Sequence, residues 1–334
     1  MSDKEKKPRH RRYREQITPF LWRDTTVGVH EGTVWTYYIK GGVEDDFIRR
    51  PQAEISGYAQ LKPYLRMPKA KLAETISGPM VVVKEVPEST DAIKMLDSSP
   101  QRVVDSLAEC LGDVTKMWQQ TTQPYSGQKL SRDWVQESLS TLNRMMATPR
   151  IQAIADKKLI INGQEFPPLA EALDSCHRTL HNSEGGNVSL CPGDLHLGNL
   201  MIAKDGYRLI DPGNYTGANY APTEVNNLVG GTYLFDLDYE GGFTDREHGF
   251  CVDYKVHPRH TESEALLRPH FCNFAREAGE ISGRPRLAKD LLFVNEMRVA
   301  LGWTKRSMDL TNVLNRGMMY VGPAIEHFYS NEIV

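Results

Sequence analysis

Four polar residues with the chemistry of a metal-dependent site lie within one stretch, residues 191–211. Asp194, His196 and Asn199 share a short segment, and Asp211 closes the stretch. A hard cation such as Mg²⁺ takes a few oxygen ligands and keeps much of its water, so an asparagine carbonyl oxygen and an aspartate carboxylate suit it. Asp194 then remains free to accept a proton. This combination predicts a phosphoryl-transfer site.

The residues between Asn199 and Asp211 predict the element that positions them. Residues 200–202 form an apolar run, residues 204–206 read Lys-Asp-Gly, and residues 207–210 form a second strand-like segment. An apolar run, a turn sequence and a returning run indicate a β-hairpin. Because a hairpin returns to its starting end, we expect Asp211 to lie beside the loop that carries Asp194.

Composition indicates an ordinary soluble protein. The chain has 334 residues, 40% hydrophobic and 25% charged, with a net charge of -3. That charge gives no overall attraction to nucleic acid or to anionic membranes. No apolar run approaches the roughly 18 to 20 residues that span a bilayer, and no secretory signal is visible. Five cysteines without a CxxC pair favour free thiols. We therefore expect a cytoplasmic protein with no membrane association.

The pattern of elements predicts an α+β protein with two lobes, as the length also suggests. Residues 1–16 are basic with almost nothing apolar, which predicts a mobile arm. Residues 17–98 combine strand-like segments at 20–23, 27–30, 33–39 and 80–83 with a helix opened by Pro51, so we expect a small antiparallel sheet with one helix. Residues 99–334 show apolar residues at helical spacing and predict a larger, mainly helical lobe.

Two features allow a second interpretation. The basic arm would suit docking to a nucleic acid or to an acidic protein, although a solvated tail is favoured. His177 and His181 lie four residues apart on a predicted helix, which suits zinc. No third ligand follows at a recognisable spacing, so ordinary, partly exposed histidines are favoured.

The sequence from Gly193 to Asp211 resembles the signature of the aminoglycoside phosphotransferase and choline kinase family, relatives of the protein kinases. The family's loop typically reads His-Gly-Asp-x-His-x-x-Asn and is followed by Ile-Asp at a strand end. This chain matches it over about twenty residues, at Gly193, Asp194, His196, Asn199, Ile210 and Asp211. The resemblance implies a two-lobed, protein-kinase-like fold and an ATP- or GTP-dependent phosphotransferase.

The resemblance also implies roles by position. Asp194 is then the catalytic base, Asn199 and Asp211 hold Mg²⁺ against the nucleotide phosphates, and His196 orients the loop beside the cofactor. Pro192 stands where the family commonly has histidine. The hydrogen bonds of that histidine must then come from elsewhere or be absent, although proline fixes φ and restores some order.

A kinase also needs a strand lysine for the phosphates and a helix glutamate to hold that lysine. Lys40, at the end of a strand, and Glu54, near the start of the following helix, are the candidates; Lys62 and Lys69 are weaker rivals. Both candidates also suit ordinary surface positions. By chain order, Lys84, Glu85 and Val86 form the hinge between the lobes, where backbone groups pair with the nucleotide base. No glycine-rich loop precedes Lys40.

The predicted acceptor is a hydroxyl group of a small molecule held by the C-terminal lobe. Asn214, Tyr215 and Glu224 are candidates to line its pocket. A set of acidic residues would favour a cationic acceptor such as an aminoglycoside or choline, or equally form a solvated acidic loop. These are Asp236, Asp238, Glu240, Asp245 and Glu247. Two other classes stay open: a kinase acting on a protein or RNA, and a catalytically silent pseudokinase.

Overall fold

The computed structural model describes most of the chain. The described residues are 11–18, 21–30, 33–41, 51–75, 78–84, 86, 88–127, 130, 133–181, 185–212, 217–258, 261–300 and 317–330. The architecture is α+β, with a small antiparallel sheet and one helix first and a larger, mainly helical part after it, as the sequence predicts. No helix among the described residues is long and apolar enough to span a membrane.

The N-terminal part is a five-stranded antiparallel sheet with one helix inserted in the chain. Its elements are β1 (Arg11–Thr18), β2 (Leu21–His30), β3 (Thr33–Gly41), α1 (Pro51–Leu61), β4 (Ala70–Thr75) and β5 (Gly78–Lys84). The strand order is β1-β2-β3-β5-β4. The strand predicted at 33–39, the helix opened by Pro51 and the strand at 80–83 are confirmed.

Strand β1 differs from the prediction of a mobile arm over residues 1–16. It pairs with β2 along its length, from Arg11 opposite Val27 to Thr18 opposite Leu21. A charged segment can form an edge strand because its backbone groups pair with those of the neighbouring strand. The two short strands predicted at 20–23 and 27–30 are one strand, β2. Residues 1–10 lie outside the described part.

The rest of the chain is mainly helical, with short strands between the helices. Its helices are α2 (Ala92–Met95), α3 (Pro100–Thr121), α4 (Trp134–Met146), α5 (Pro149–Ala155), α6 (Leu169–His181), α7 (Pro222–Asp236), α8 (Thr261–Ser282), α9 (Leu287–Ala300) and α10 (Val321–Tyr329). Its strands are β6 (Thr90–Asp91), β7 (Gln123–Pro124), β8 (Lys158–Ile161), β9 (Gln164–Phe166), β10 (Asn187–Leu190), β11 (Leu200–Ala203), β12 (Gly206–Leu209), β13 (Ala218–Asn219), β14 (Leu237–Arg246) and β15 (Gly249–Pro258). The helical stripes of the sequence correspond to α3, α4 and α6.

Two hydrophobic clusters hold these elements together. The first joins α1 to α3, α7, α8 and the β11–β12 hairpin, and Tyr58, Leu61 and Leu65 belong to it. The second joins α4, α6, α9 and α10 to the inner face of β15. Trp118, fully buried on α3, stacks on Phe274 of α8 with ring centroids 4.7 Å apart. Helix α1 therefore packs directly against the element that carries the predicted metal site.

The acidic region after α7 forms an antiparallel hairpin, β14–β15, rather than a loop. Its pairing runs from Leu237 opposite Pro258 to Arg246 opposite Gly249. Strand β15 continues the sheet by pairing in parallel with β8, which pairs with β9 around a turn at Asn162 and Gly163. Phe250 and Val252 are buried and Asp253 is exposed, so the face that carries Phe250 and Val252 packs on the second cluster.

Candidate active site

The loop between β10 and β11 holds Asp194, His196 and Asn199 in a closed arrangement. His196 caps a one-turn 3₁₀ helix, Leu197–Asn199, by accepting the Gly198 N–H at Nδ1 over 3.0 Å. The Asn199 N–H donates to the His196 carbonyl oxygen over 2.9 Å. The Asn199 side-chain Nδ2 donates to the Asp194 carbonyl oxygen over 2.8 Å. The three residues are therefore linked by short-range hydrogen bonds.

The predicted hairpin is confirmed and brings Asp211 to this loop. Strands β11 and β12 pair from Leu200 opposite Leu209 to Ala203 opposite Gly206. Beyond the ladder, the Ile210 N–H donates to the Asn199 carbonyl oxygen over 2.9 Å. Since Ile210 directly precedes Asp211, the asparagine and the aspartate lie at the same end of the hairpin.

Asp211 adopts a backbone conformation that few residues accept. Its φ is +62°, in the left-handed region, which aspartate and asparagine tolerate better than other non-glycine residues. Its N–H donates to the Tyr58 hydroxyl oxygen on α1 over 3.0 Å. The residue that follows the hairpin is therefore held from the N-terminal part of the chain.

The side chains of Asn199 and Asp211 fit a magnesium ion in chemistry. The hydrogen bond from Asn199 Nδ2 to Asp194 uses the nitrogen of the amide, which leaves its oxygen as the available ligand. An amide oxygen and a carboxylate, completed by water and phosphate oxygens, form the donor set that Mg²⁺ prefers.

Among the described residues, no group of three or more His, Cys, Asp and Glu side chains stands in a metal-binding arrangement. His177 and His181 stack on each other, with ring centroids 5.8 Å apart.

Asp194 is partly accessible, as a base that meets a substrate must be. Its side chain is 21% exposed, and its Oδ1 lies 3.8 Å from His196 Nε2. Because His196 Nδ1 accepts a backbone N–H, the neutral ring carries its proton on Nε2, the nitrogen that faces this carboxylate.

Glu224 is a buried carboxylate that holds the loop carrying Asp194. It lies in the first turn of α7 and is fully buried. Its two carboxylate oxygens accept the N–H groups on either side of Asp194, from Gly193 over 2.6 Å and from Leu195 over 3.1 Å. Asn227, one turn later, donates to the Gly193 carbonyl oxygen over 3.3 Å.

This arrangement corrects the prediction that Glu224 lines the acceptor pocket, since its carboxylate is wholly enclosed by the loop and helix. Pro192 is buried beside it and has no N–H to donate. Burial raises the pKa of Glu224 to about 7, while the two backbone N–H groups act in the opposite direction. Glu224 therefore supplies loop hydrogen bonds that the sequence left unassigned after the departure at Pro192.

For most of the residues predicted to bind the nucleotide, the structure describes the position in the backbone and not the side chain. Lys40 lies in β3, opposite Arg23 of β2, and Glu54 lies in the first turn of α1 with a partly buried side chain. The side chains of Lys40 and Lys84, and Glu85 altogether, lie outside the described part. Val86 is described, and its carbonyl oxygen accepts the Ser89 hydroxyl over 2.8 Å. Their roles stay predictions. The rivals Lys62 and Lys69 are exposed.

The predicted acceptor residues are only partly described. Asn214 and Tyr215, and the side chains of Asp236 and Asp238, lie outside the described part. The other acidic residues lie on or beside β14 next to basic groups: Glu240 is 3.1 Å from His257, Asp245 is 2.5 Å from Lys157, and Glu247 is 3.9 Å from His248. The charge of Asp245 is therefore compensated by Lys157 on the protein surface.

Comparison with known proteins gives structural neighbours only. No protein-family model matches the chain, and no curated protein matches its sequence. Glucosamine kinase in complex with glucosamine, ADP and inorganic phosphate is 13% identical, with a TM-score of 0.49 over 91% of this chain and 79% of that chain. Spectinomycin phosphotransferase in complex with ADP and spectinomycin is 11% identical, with a TM-score of 0.47 over 96% and 92%. Choline kinase from Cryptosporidium parvum Iowa II is 11% identical, with a TM-score of 0.43 over 96% and 88%. By their names, these neighbours are two kinases and one phosphotransferase.

Proposed function

We propose that this chain is a kinase that transfers the terminal phosphoryl group of ATP or GTP to a hydroxyl group of a small molecule. One observation carries the proposal: Asp194, Asn199 and Asp211 are brought to one end of the β11–β12 hairpin by hydrogen bonds to backbone carbonyl groups. A proton acceptor beside an amide oxygen and a carboxylate is the arrangement that phosphoryl transfer requires.

In this mechanism Asp194 orients the acceptor hydroxyl and takes its proton as the bond from the acceptor oxygen to the terminal phosphorus forms and the bond from that phosphorus to the departing ADP or GDP breaks. Asn199 and Asp211 would hold Mg²⁺, which spreads charge from the nucleotide phosphates when it is bound. Little covalent chemistry is asked of the protein, because the transferred phosphoryl group is loosely bonded in the transition state. Positioning is therefore the main contribution of these side chains.

The topology of the N-terminal sheet supports the assignment of Lys40 and Glu54. Protein kinases carry the phosphate lysine on the third strand and its glutamate on the following helix. Lys40 lies in the third strand here, and Glu54 lies in the helix that follows. We propose that Lys40 neutralises nucleotide phosphate charge and that Glu54 holds it in place, with Lys84, Glu85 and Val86 as the hinge beside the base.

Glu224 supports a working enzyme over a silent relative. The departure at Pro192 would weaken catalysis if the loop lost its order. The two N–H groups that flank Asp194 are instead held by one buried carboxylate.

Free buried thiols are consistent with a reducing, cytoplasmic location, and all five cysteines are free.

A thermal-shift experiment tests the nucleotide part of the proposal. ATP and GTP are each added with and without Mg²⁺, and the melting temperature is measured. We expect stabilisation that requires both nucleotide and Mg²⁺, because a ligand that binds only the folded state raises its stability. Stabilisation by no nucleotide would indicate the silent alternative.

Release of ADP or GDP in the presence of separate small hydroxyl compounds, with and without an amine, then tests the acceptor class. Turnover only with amine-bearing acceptors would support a cationic substrate. Turnover only with a protein or RNA, abolished when residues 1–10 are removed and strand β1 is left in place, would favour the macromolecular alternative.

A further inference from the structure

Tyr58 connects helix α1 to the residue that follows the active-site hairpin. The residue lies in the C-terminal half of α1 and is 4% exposed. Its hydroxyl oxygen accepts the Asp211 N–H over 3.0 Å. These two residues are 153 positions apart in the chain, so the bond depends on tertiary packing.

The bond acts on the backbone that sets the direction of the Asp211 side chain. At φ +62° the peptide before Asp211 is turned away from the extended path of β12, whose ladder ends at Leu209. A partly buried backbone N–H is stabilised by an acceptor, and the buried Tyr58 hydroxyl provides one for Asp211. A left-handed residue without such support would return to an extended or right-handed conformation, and its carboxylate would then point elsewhere.

The chain after α1 is fixed to the same hairpin, which makes the position of Tyr58 well determined. The Leu209 N–H donates to the Arg66 carbonyl oxygen over 2.9 Å, and the Arg66 N–H donates to the Tyr207 hydroxyl over 3.3 Å. Glu54 and Tyr58 are four residues apart on α1, so they lie on one face of the helix, one turn from each other.

We propose that Tyr58 is a positioning residue that couples helix α1 to the metal site by holding the Asp211 peptide in its left-handed conformation. The metal role of Asp211 rests on the proposed function, whereas the hydrogen bond does not. A displacement of α1 would move Glu54 and release Asp211 together. Magnesium binding and the placement of α1 are therefore linked through one hydroxyl group.

Tyr58→Phe removes this hydroxyl and keeps the ring in the first cluster. Tyr220→Phe is the matched control, because it removes the hydroxyl of another buried tyrosine, 2% exposed, that belongs to the second cluster instead of the first. In the nucleotide-free protein, hydrogen exchange at the Asp211 amide should rise about tenfold in Tyr58→Phe and stay unchanged in Tyr220→Phe. This readout needs no activity.

The second readout is the Mg²⁺ concentration that gives half of the nucleotide-dependent thermal shift. We expect it to rise about three- to tenfold in Tyr58→Phe, as the loss of one buried hydrogen bond predicts, and to stay at the wild-type value in Tyr220→Phe. Unchanged exchange, an unchanged magnesium requirement, or equal changes in both variants would overturn the coupling. If the wild type shows no magnesium-dependent shift, the proposed function fails, and the exchange result alone decides whether Tyr58 positions Asp211.

Discussion

Two hairpins of similar form, β11–β12 and β14–β15, carry acidic residues in very different surroundings. At the first hairpin, polar groups are held by peptide groups and buried side chains: Asn199 is 4% exposed, and Glu224 below the loop is fully buried. At the second, the side chains of Glu240 and Asp245 are 78% and 44% exposed and face basic partners in water.

The difference teaches where function is specified in this protein. A side chain held by backbone hydrogen bonds in a buried loop has one orientation, which chemistry at a fixed distance requires. An exposed ion pair contributes little because solvent screens it and both side chains lose freedom to form it. Similar acidic residues therefore predict a site in the first hairpin and a solvated surface in the second.

The largest effect is expected from Asp194→Asn. Loss of the base should lower turnover by about two to four orders of magnitude, with nucleotide binding nearly unchanged. Turnover is measured as ADP or GDP release with an acceptor identified by the screen of small hydroxyl compounds, and nucleotide binding is measured as the thermal shift. Asp205→Asn at the exposed turn of the same hairpin is the control and should behave as wild type. Full turnover in Asp194→Asn would remove the base assignment.

Asp211→Asn should instead weaken binding of the magnesium–nucleotide complex. Asparagine tolerates the left-handed conformation at this position, so the change removes charge without imposing backbone strain. Titration calorimetry with Mg²⁺ present should show an affinity about tenfold or more below that of wild type, since one charged ligand is lost. An affinity equal to wild type would contradict the metal role.

Glu224→Gln tests whether the loop depends on its buried carboxylate. Glutamine has one acceptor oxygen, so one of the two N–H groups from Gly193 and Leu195 loses its partner. We expect a loss of about 1–3 kcal/mol in the free energy of unfolding, measured with urea, together with lower turnover. A variant with normal stability and turnover would show that Pro192 and the surrounding packing order the loop by themselves.

The pH dependence of stability is a second test of Glu224, with Glu224→Gln as the matched control for the wild type. Because the pKa of Glu224 is raised from 4.5 to about 7 in the folded protein, the folded state binds more protons than the unfolded state between these values. The contribution of this group to stability is therefore fully present below pH 4.5 and is lost as the pH rises through about 7. Glu224→Gln should lack this part of the pH dependence. An identical pH profile in both proteins would contradict the raised pKa.

Sequence predicted the local parts of the structure and missed the long-range ones. The β11–β12 hairpin and its loop were predictable because turn residues and the proposed metal ligands follow one another in a short segment. The role of Glu224 depends on contacts with a loop about thirty positions earlier, and nothing in its own neighbourhood signals them. Strand β1 forms by pairing with β2. The small number of apolar residues in β1 does not reveal this pairing. The alternation of buried Phe250 and Val252 with more exposed neighbours was a visible signal for β15.

The smallest effect is expected from Asp245→Asn in the second hairpin. Its pair with Lys157 is solvent-exposed, so its loss should change the free energy of unfolding by less than about 1 kcal/mol, and less still in high salt. A double-mutant cycle with Lys157→Gln isolates the pair and should give a coupling energy in the same range. Turnover should stay at the wild-type value, because this charge is already compensated by its neighbour. A rise in the KM for an amine-bearing acceptor, without loss of stability, would instead show that the acidic hairpin attracts a cationic substrate. In that case the β11–β12 hairpin would serve catalysis, the β14–β15 hairpin would serve substrate recognition, and both would contribute to function.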